Sequence, residues 1–138
     1  MANVNENKVI TRLLVANRGE IARRIMRTAR DMGISTVSVY AETDAMAPFV
    51  TEADIAIPLN GRTSAETYLD TAQILAACKD TGADAVHPGY GFLSENADFA
   101  RAVTDAGIAW IGPSPDAIVQ MGDKLSAKQL MQEAKVPT

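Results

Sequence analysis

One cysteine, one histidine and one tryptophan among 138 residues leave little material for several kinds of chemistry. A lone Cys78 rules out an intramolecular disulfide and a cysteine zinc cluster, and fits a reducing compartment. The lone His87 has no histidine or cysteine at ligand spacing, so the sequence offers no metal site. No apolar run approaches the roughly 20 residues that cross a bilayer. The opening residues 1–8, MANVNENK, lack the apolar core of a signal peptide. Nor is there an excess of positive charge. A net charge of −4 with no basic run argues against nucleic acid or an acidic membrane as partner. These absences together predict a cytoplasmic protein with no membrane association.

What is present is an ordinary globular balance, 47% apolar and 22% charged, enough for one domain with a real core. Residues 1–11 are polar and asparagine-rich and read as a flexible tail, leaving 12–138 as the domain. Short apolar or β-branched runs at 13–16, 36–40, 55–58, 84–87 and 108–111 predict five strands. Between them lie helical patterns. The first runs from the Asn17–Glu20 turn to about residue 32, with Ile21, Ile25, Ala29 and Met32 as its core stripe. The second is predicted to open at Thr63, because Thr63-Ser64-Ala65-Glu66 has the form of a capping box, and to run to about residue 81. A third covers 96–106, with Phe99 and Val103 inward, and a short one covers 115–121 behind an N-cap at Ser114. A last helix is expected from Asp123 to about 135. Gly33, Gly82 and Gly107 stand where helices stop. The alternation predicts an α/β fold with a doubly wound, mostly parallel, five-stranded Rossmann-like sheet. Pro58 suggests that the third strand lies at an edge.

The stretch around which the rest is arranged is AVHPGYGFLSEN at 85–96. A strand runs into a loop in which Gly89 and Gly91 flank Tyr90, so the backbone can turn sharply and approach a ligand. Such a loop, at the carboxyl end of a strand, lies where open α/β sheets bind ligands. His87 is expected to shape it by a hydrogen bond. Glu95 is a candidate site carboxylate, although an acid is favoured in a helix's first turn in any case. The other strand-to-helix turn, NRGEIA at 17–22, has one glycine where a dinucleotide fingerprint needs three, and reads as structural. Arg23, Arg24, Arg27 and Arg30 crowd the first helix as a solvated or subunit-facing surface. Cys78 reads as a small core residue. Lys124 breaks a local rule, being a cation in the first turn of a helix, and an anion bound there would remove the conflict.

HPGYGFLSEN, with VANRGEIA at 15–22 and MGDK at 121–124, resembles the biotin carboxylase family, in that family's order and spacing from about Leu13 onward. The resemblance implies an ATP-dependent ligase that uses MgATP and bicarbonate to carboxylate N1 of biotin on a carrier protein. It points in particular to the α subunit of an acyl-CoA carboxylase. It implies that Tyr90 and Gly91 lie beside the ureido ring of biotin and that Lys124 contacts ATP. It also puts Arg24, Arg27 and Asp31 in a homodimer interface, Asp31 standing where the family carries glutamate. The implied partners are the biotin carboxyl carrier and the carboxyltransferase. The magnesium and bicarbonate sites are expected outside this stretch, in an ATP-grasp region beyond Thr138, so the 138 residues alone are expected to be inactive. Two other readings stay open at this point. One is another ATP-grasp ligase, such as a carbamoyl-phosphate synthase. The other is a dimerisation module without catalysis.

Overall fold

A computed structural model describes residues 9–122. In chain order the elements are β1 (Arg12–Val15), α1 (Gly19–Asp31), β2 (Ser35–Ala41), α2 (Pro48–Thr51), β3 (Ile55–Leu59), α3 (Thr71–Thr81), β4 (Ala85–His87), α4 (Ala97–Asp105) and β5 (Ala109–Trp110). Single 3-10 turns lie at Glu42–Asp44 and Phe92–Glu95. The five strands form one sheet in the order β3-β2-β1-β4-β5, and every pairing is parallel. β3 lies at an edge, where Pro58 is tolerated. From β1 the chain steps outward to β2 and β3, then returns across β1 to β4 and β5. Because βαβ crossovers are right-handed, the two sets of connections lie on opposite faces, and the sheet is doubly wound.

The sheet's centre carries the core. Leu14, Val15, Val37, Val39 and Val86 have no exposed surface, as strands covered on both faces require. Met26 packs on them from α1, Ile74 from α3, and Phe99 and Val103 from α4. Phe99 meets Trp110 edge-on at 5.6 Å between ring centres. Each such large apolar side chain contributes about 1.5–3 kcal/mol when fully buried.

Three sequence expectations are corrected. The buried stripe of α1 is Ala22, Met26 and Ala29, whereas Ile21 is 37% and Met32 69% exposed. Small alanines let the helix backbone approach the sheet with Met26 filling the gap between them, so the larger residues fall to the flank. The capping box at Thr63 does form. Glu66 accepts from the Thr63 N–H at 3.1 Å, and its own N–H donates to Thr63 Oγ1 at 3.2 Å. It caps an isolated turn, however, and α3 starts only at Thr71. Gln73 reaches back to the carbonyls of Asn60 and Glu66, which ties the turn across the helix entrance. Asp70 is the N-cap, accepting from the N–H groups of Ala72 and Gln73 at 3.1 and 3.4 Å. The third correction concerns the end of the described chain. Residues 115–122 are helical through Gly122, where a break was expected. Ser114 caps this helix by accepting from the Ala117 N–H at 3.1 Å. The helix predicted from Asp123, and Lys124 with it, lie outside the described residues.

Candidate functional site

The sheet reverses its winding between β1 and β4, which are neighbours although each leads to a different side. The loops leaving their carboxyl ends meet across a crevice, the place where doubly wound sheets take ligands. One of these loops is the Asn17–Arg18 turn and the other is 88–91.

Asn17 fills the crevice. It is 1% exposed, and its side-chain amide donates to Pro88 O at 2.9 Å and Tyr90 O at 2.7 Å. Its Oδ1 accepts from the Arg18 N–H at 2.8 Å. Gly89 lies between the two captured carbonyls at φ +67, and a Cβ built there would stand 2.5 Å from Asn17 Nδ2. Only glycine leaves room for this contact. On the other side of the loop, the Gly89 N–H donates to His87 Nδ1 at 3.0 Å. Burial holds the His87 imidazole below its ordinary pKa, which favours the neutral ring whose Nδ1 can accept.

Arg18 points the other way. Its Nε and Nη2 grip both oxygens of Asp44 at 2.8 and 2.6 Å. This pair, chiefly its hydrogen bonds, holds the Asp44 carboxyl below its usual range. The Tyr68 hydroxyl donates to the same carboxylate and accepts from the Ala41 N–H. Burial, reinforced by Asp44, pushes the Tyr68 phenol up to about 12, so it stays a donor. The Arg18 guanidinium also stands 5.7 Å from the centre of the Tyr68 ring. That ring lies 5.5 Å from Phe92, which takes φ +46 just past the loop.

Gly89, Tyr90 and Glu95 line a cleft of about 370 Å³ together with Ser94, Pro113, Ile118, Met121 and Gly122. Tyr90 is 79% exposed. Gly91, at φ +71 and ψ −157, is exposed with nothing within 4 Å of a built Cβ, so the space beside its Cα is open, while its carbonyl accepts from the Ser94 N–H at 2.9 Å. Glu95 belongs to the 3-10 turn and precedes Asn96, the N-cap of α4. It stands within a single helical turn and directly before that N-cap, close to the positive end of the α4 dipole, where an acid is favoured in any case. His87 does not share this cleft. It opens instead into a groove of about 490 Å³ with Arg24, Ile25, Thr28, Met32 and Ile111.

Arg24, Arg27 and Asp31 are all exposed on α1. Among the described residues, the side chains of Arg24 and Arg27 make no hydrogen bond, in contrast to their neighbours. Arg23 pairs with Glu52 at 2.9 Å, and Arg30 donates to the Glu52 carbonyl. Cys78 is buried, and burial pushes its thiol up to about 12, where it is unreactive. From sequence, Asn17 and Arg18 read only as part of a structural turn, and neither Asp44 nor Tyr68 stood out. A sequence signal existed for Asn17, an amide placed directly after the apolar run 13–16. None existed for Asp44 or Tyr68, which lie 26 and 50 residues beyond Arg18.

Comparison with known proteins agrees with this architecture. The family described as "Biotin carboxylase, N-terminal domain" matches residues 9–118. The chain is 58% identical over 128 residues to the biotin-dependent acyl-coenzyme A carboxylase alpha3 subunit of Mycobacterium leprae, covering 93% of this chain and 21% of that protein. It is 49% identical over 129 residues to biotin carboxylase 1 of Bacillus subtilis, covering 94% and 29%. Among solved structures, the urea carboxylase of Kluyveromyces lactis superposes with a TM-score of 0.83 at 52% identity, over 93% of this chain and 11% of that one. The chain thus spans less than a third of the length of each of these relatives.

Proposed function

Since the chain belongs to the biotin carboxylase family, by way of its N-terminal domain, we propose that it serves as that domain in an acyl-CoA carboxylase α subunit. The activity of the whole enzyme is then the MgATP- and bicarbonate-dependent carboxylation of N1 of biotin on a carrier protein. The identity to an acyl-CoA carboxylase subunit, 58%, supports this acceptor class over the urea enzymes, of which the yeast urea amidolyase is 52% identical. The biotin carboxyl carrier and the carboxyltransferase are its partners, and Arg24, Arg27 and Asp31 contribute to a homodimer surface. Lys124 contacts ATP.

The observation that carries the site assignment is the pairing of an exposed flat ring with an open backbone. Tyr90 stands 79% exposed beside Gly91, at the edge of the cleft. A planar bicycle with polar edges can lie against such a phenol while its ureido group meets main-chain atoms at Gly91. Biotin, when bound, supplies the ureido nitrogen that receives the carboxyl group. Tyr90 and Gly91 orient it, while Gly89, His87 and Glu95 shape and border the loop that presents them.

The test is Tyr90→Ala in the complete carboxylase. Losing the ring contact should raise the KM for free biotin about tenfold, equivalent to about 1.4 kcal/mol. The KM for MgATP should change far less. If both rise together, Tyr90 does not belong to the biotin site.

A further inference from the structure

We infer that Asn17 is the positioning residue of the biotin loop, an inference that depends on the reading of Tyr90 and Gly91 just given. The exposed ring of Tyr90 has little packing of its own. Among the described residues it makes no aromatic contact and no side-chain hydrogen bond. What fixes its direction is its main chain, and Asn17 holds that main chain. One buried side-chain amide spends both its N–H groups on the carbonyls of Pro88 and Tyr90, two residues apart, at 2.9 and 2.7 Å. Capturing both carbonyls sets the orientations of the Pro88–Gly89 and Tyr90–Gly91 peptides, and so the direction in which residues 90 and 91 leave the loop.

The geometry admits few substitutes. Aspartate keeps the acceptor for the Arg18 N–H but has no N–H to give, and would set a carboxylate against two carbonyl oxygens. Serine is too short to span both. Gly89 is shaped to the same contact, since a Cβ there would overlap the amide. Arg18 secures the far end of the loop through Asp44 and Tyr68, whose ring rests on Phe92. The turn that fails as a nucleotide fingerprint is therefore the mount of the neighbouring loop.

A double-mutant cycle in the complete carboxylase tests this, with KM for free biotin and for MgATP measured alongside thermal stability. Asn17→Asp should raise the KM for biotin about 10- to 100-fold, the range expected when a reacting group is misplaced by about 1 Å. The KM for MgATP should move far less. In a Tyr90→Ala background the same change should show less than half of its logarithmic effect, because residues that act through one another are not additive. Full additivity, or a KM for biotin that Asn17→Asp leaves unaltered while Tyr90→Ala raises it, overturns the inference alone. An unaltered KM in Tyr90→Ala itself overturns the biotin reading of the loop, and the inference with it. Should Asn17→Asp fail to fold, Asn17→Ser is read by the same cycle.

Discussion

At His87 a half-buried imidazole accepts a backbone hydrogen bond through Nδ1, and burial holds its pKa below the ordinary value. The unfolded chain therefore takes up the proton first as pH falls. Stability is complete above the unfolded value of about 6.5 and declines below it. The Asp44 carboxyl is also held low, by Arg18, but its contribution stays intact until the pH falls into the acid carboxylate range. The interval from pH 7.5 to 5.5 thus isolates the only histidine of the chain. The melting temperature should drop across that interval in the wild type. In His87→Asn, whose amide oxygen can replace Nδ1 as acceptor, the slope should flatten. An equal slope in both proteins, followed by calorimetry, would assign the effect to other groups.

Among the elements, the entrance to α3 gives the sharpest contrast. Asp70 satisfies two N–H groups at the start of an 11-residue helix, whereas the Thr63–Glu66 pair closes one exposed turn. Asp70→Ala should therefore cost about 1 kcal/mol, the usual loss at an N-cap, and Thr63→Ala measurably less. Urea denaturation of the two variants ranks them. A larger loss at Thr63 would mean that the turn nucleates the helix after all. The same region shows what was legible beforehand. All five strands could be read from apolar runs, and the glycine stops at Gly33, Gly82 and Gly107 all take positive φ. Capping chemistry could be read as well, but not whether a helix followed, because Gln73 decides that by reaching back to Asn60 and Glu66. The face of α1 was misjudged because hydrophobicity favours isoleucine, whereas close approach to a sheet favours alanine. In the candidate site, the 89–91 loop was legible from its glycines. Its mount was not, since Asn17 meets Pro88 and Tyr90 only through sheet pairing 71 and 73 residues away.

For the molecule as a whole, the cleft beside Tyr90 measures about 370 Å³ and is walled by two loops and the helical residues 115–122. That lies at the small end of ligand pockets. A cleft of that size, proposed above for biotin, supplies none of the enclosing walls that a nucleotide and its metal need. The 138-residue chain should accordingly bind MgATP with a dissociation constant of about 1 mM or weaker, worth about 4 kcal/mol or less. It should also release no phosphate in the presence of bicarbonate and biotin. Isothermal titration and a phosphate assay check both, and micromolar binding would contradict the proposal that further residues complete the nucleotide site.

The place of β1 at the centre of the sheet has a consequence for synthesis. Its residues pair with β2 soon after they emerge, but Leu14 must wait for Val86, 72 residues later, to cover its other edge. At about 5–20 residues per second a ribosome takes roughly 4–14 s over that interval. For that time the growing chain presents an apolar strand with one open edge, a template for pairing with the wrong neighbour. Asn17 also has no carbonyls to capture until the 88–91 loop arrives. Nascent chains halted short of β4 should therefore be held by chaperones, and released once β4 has docked.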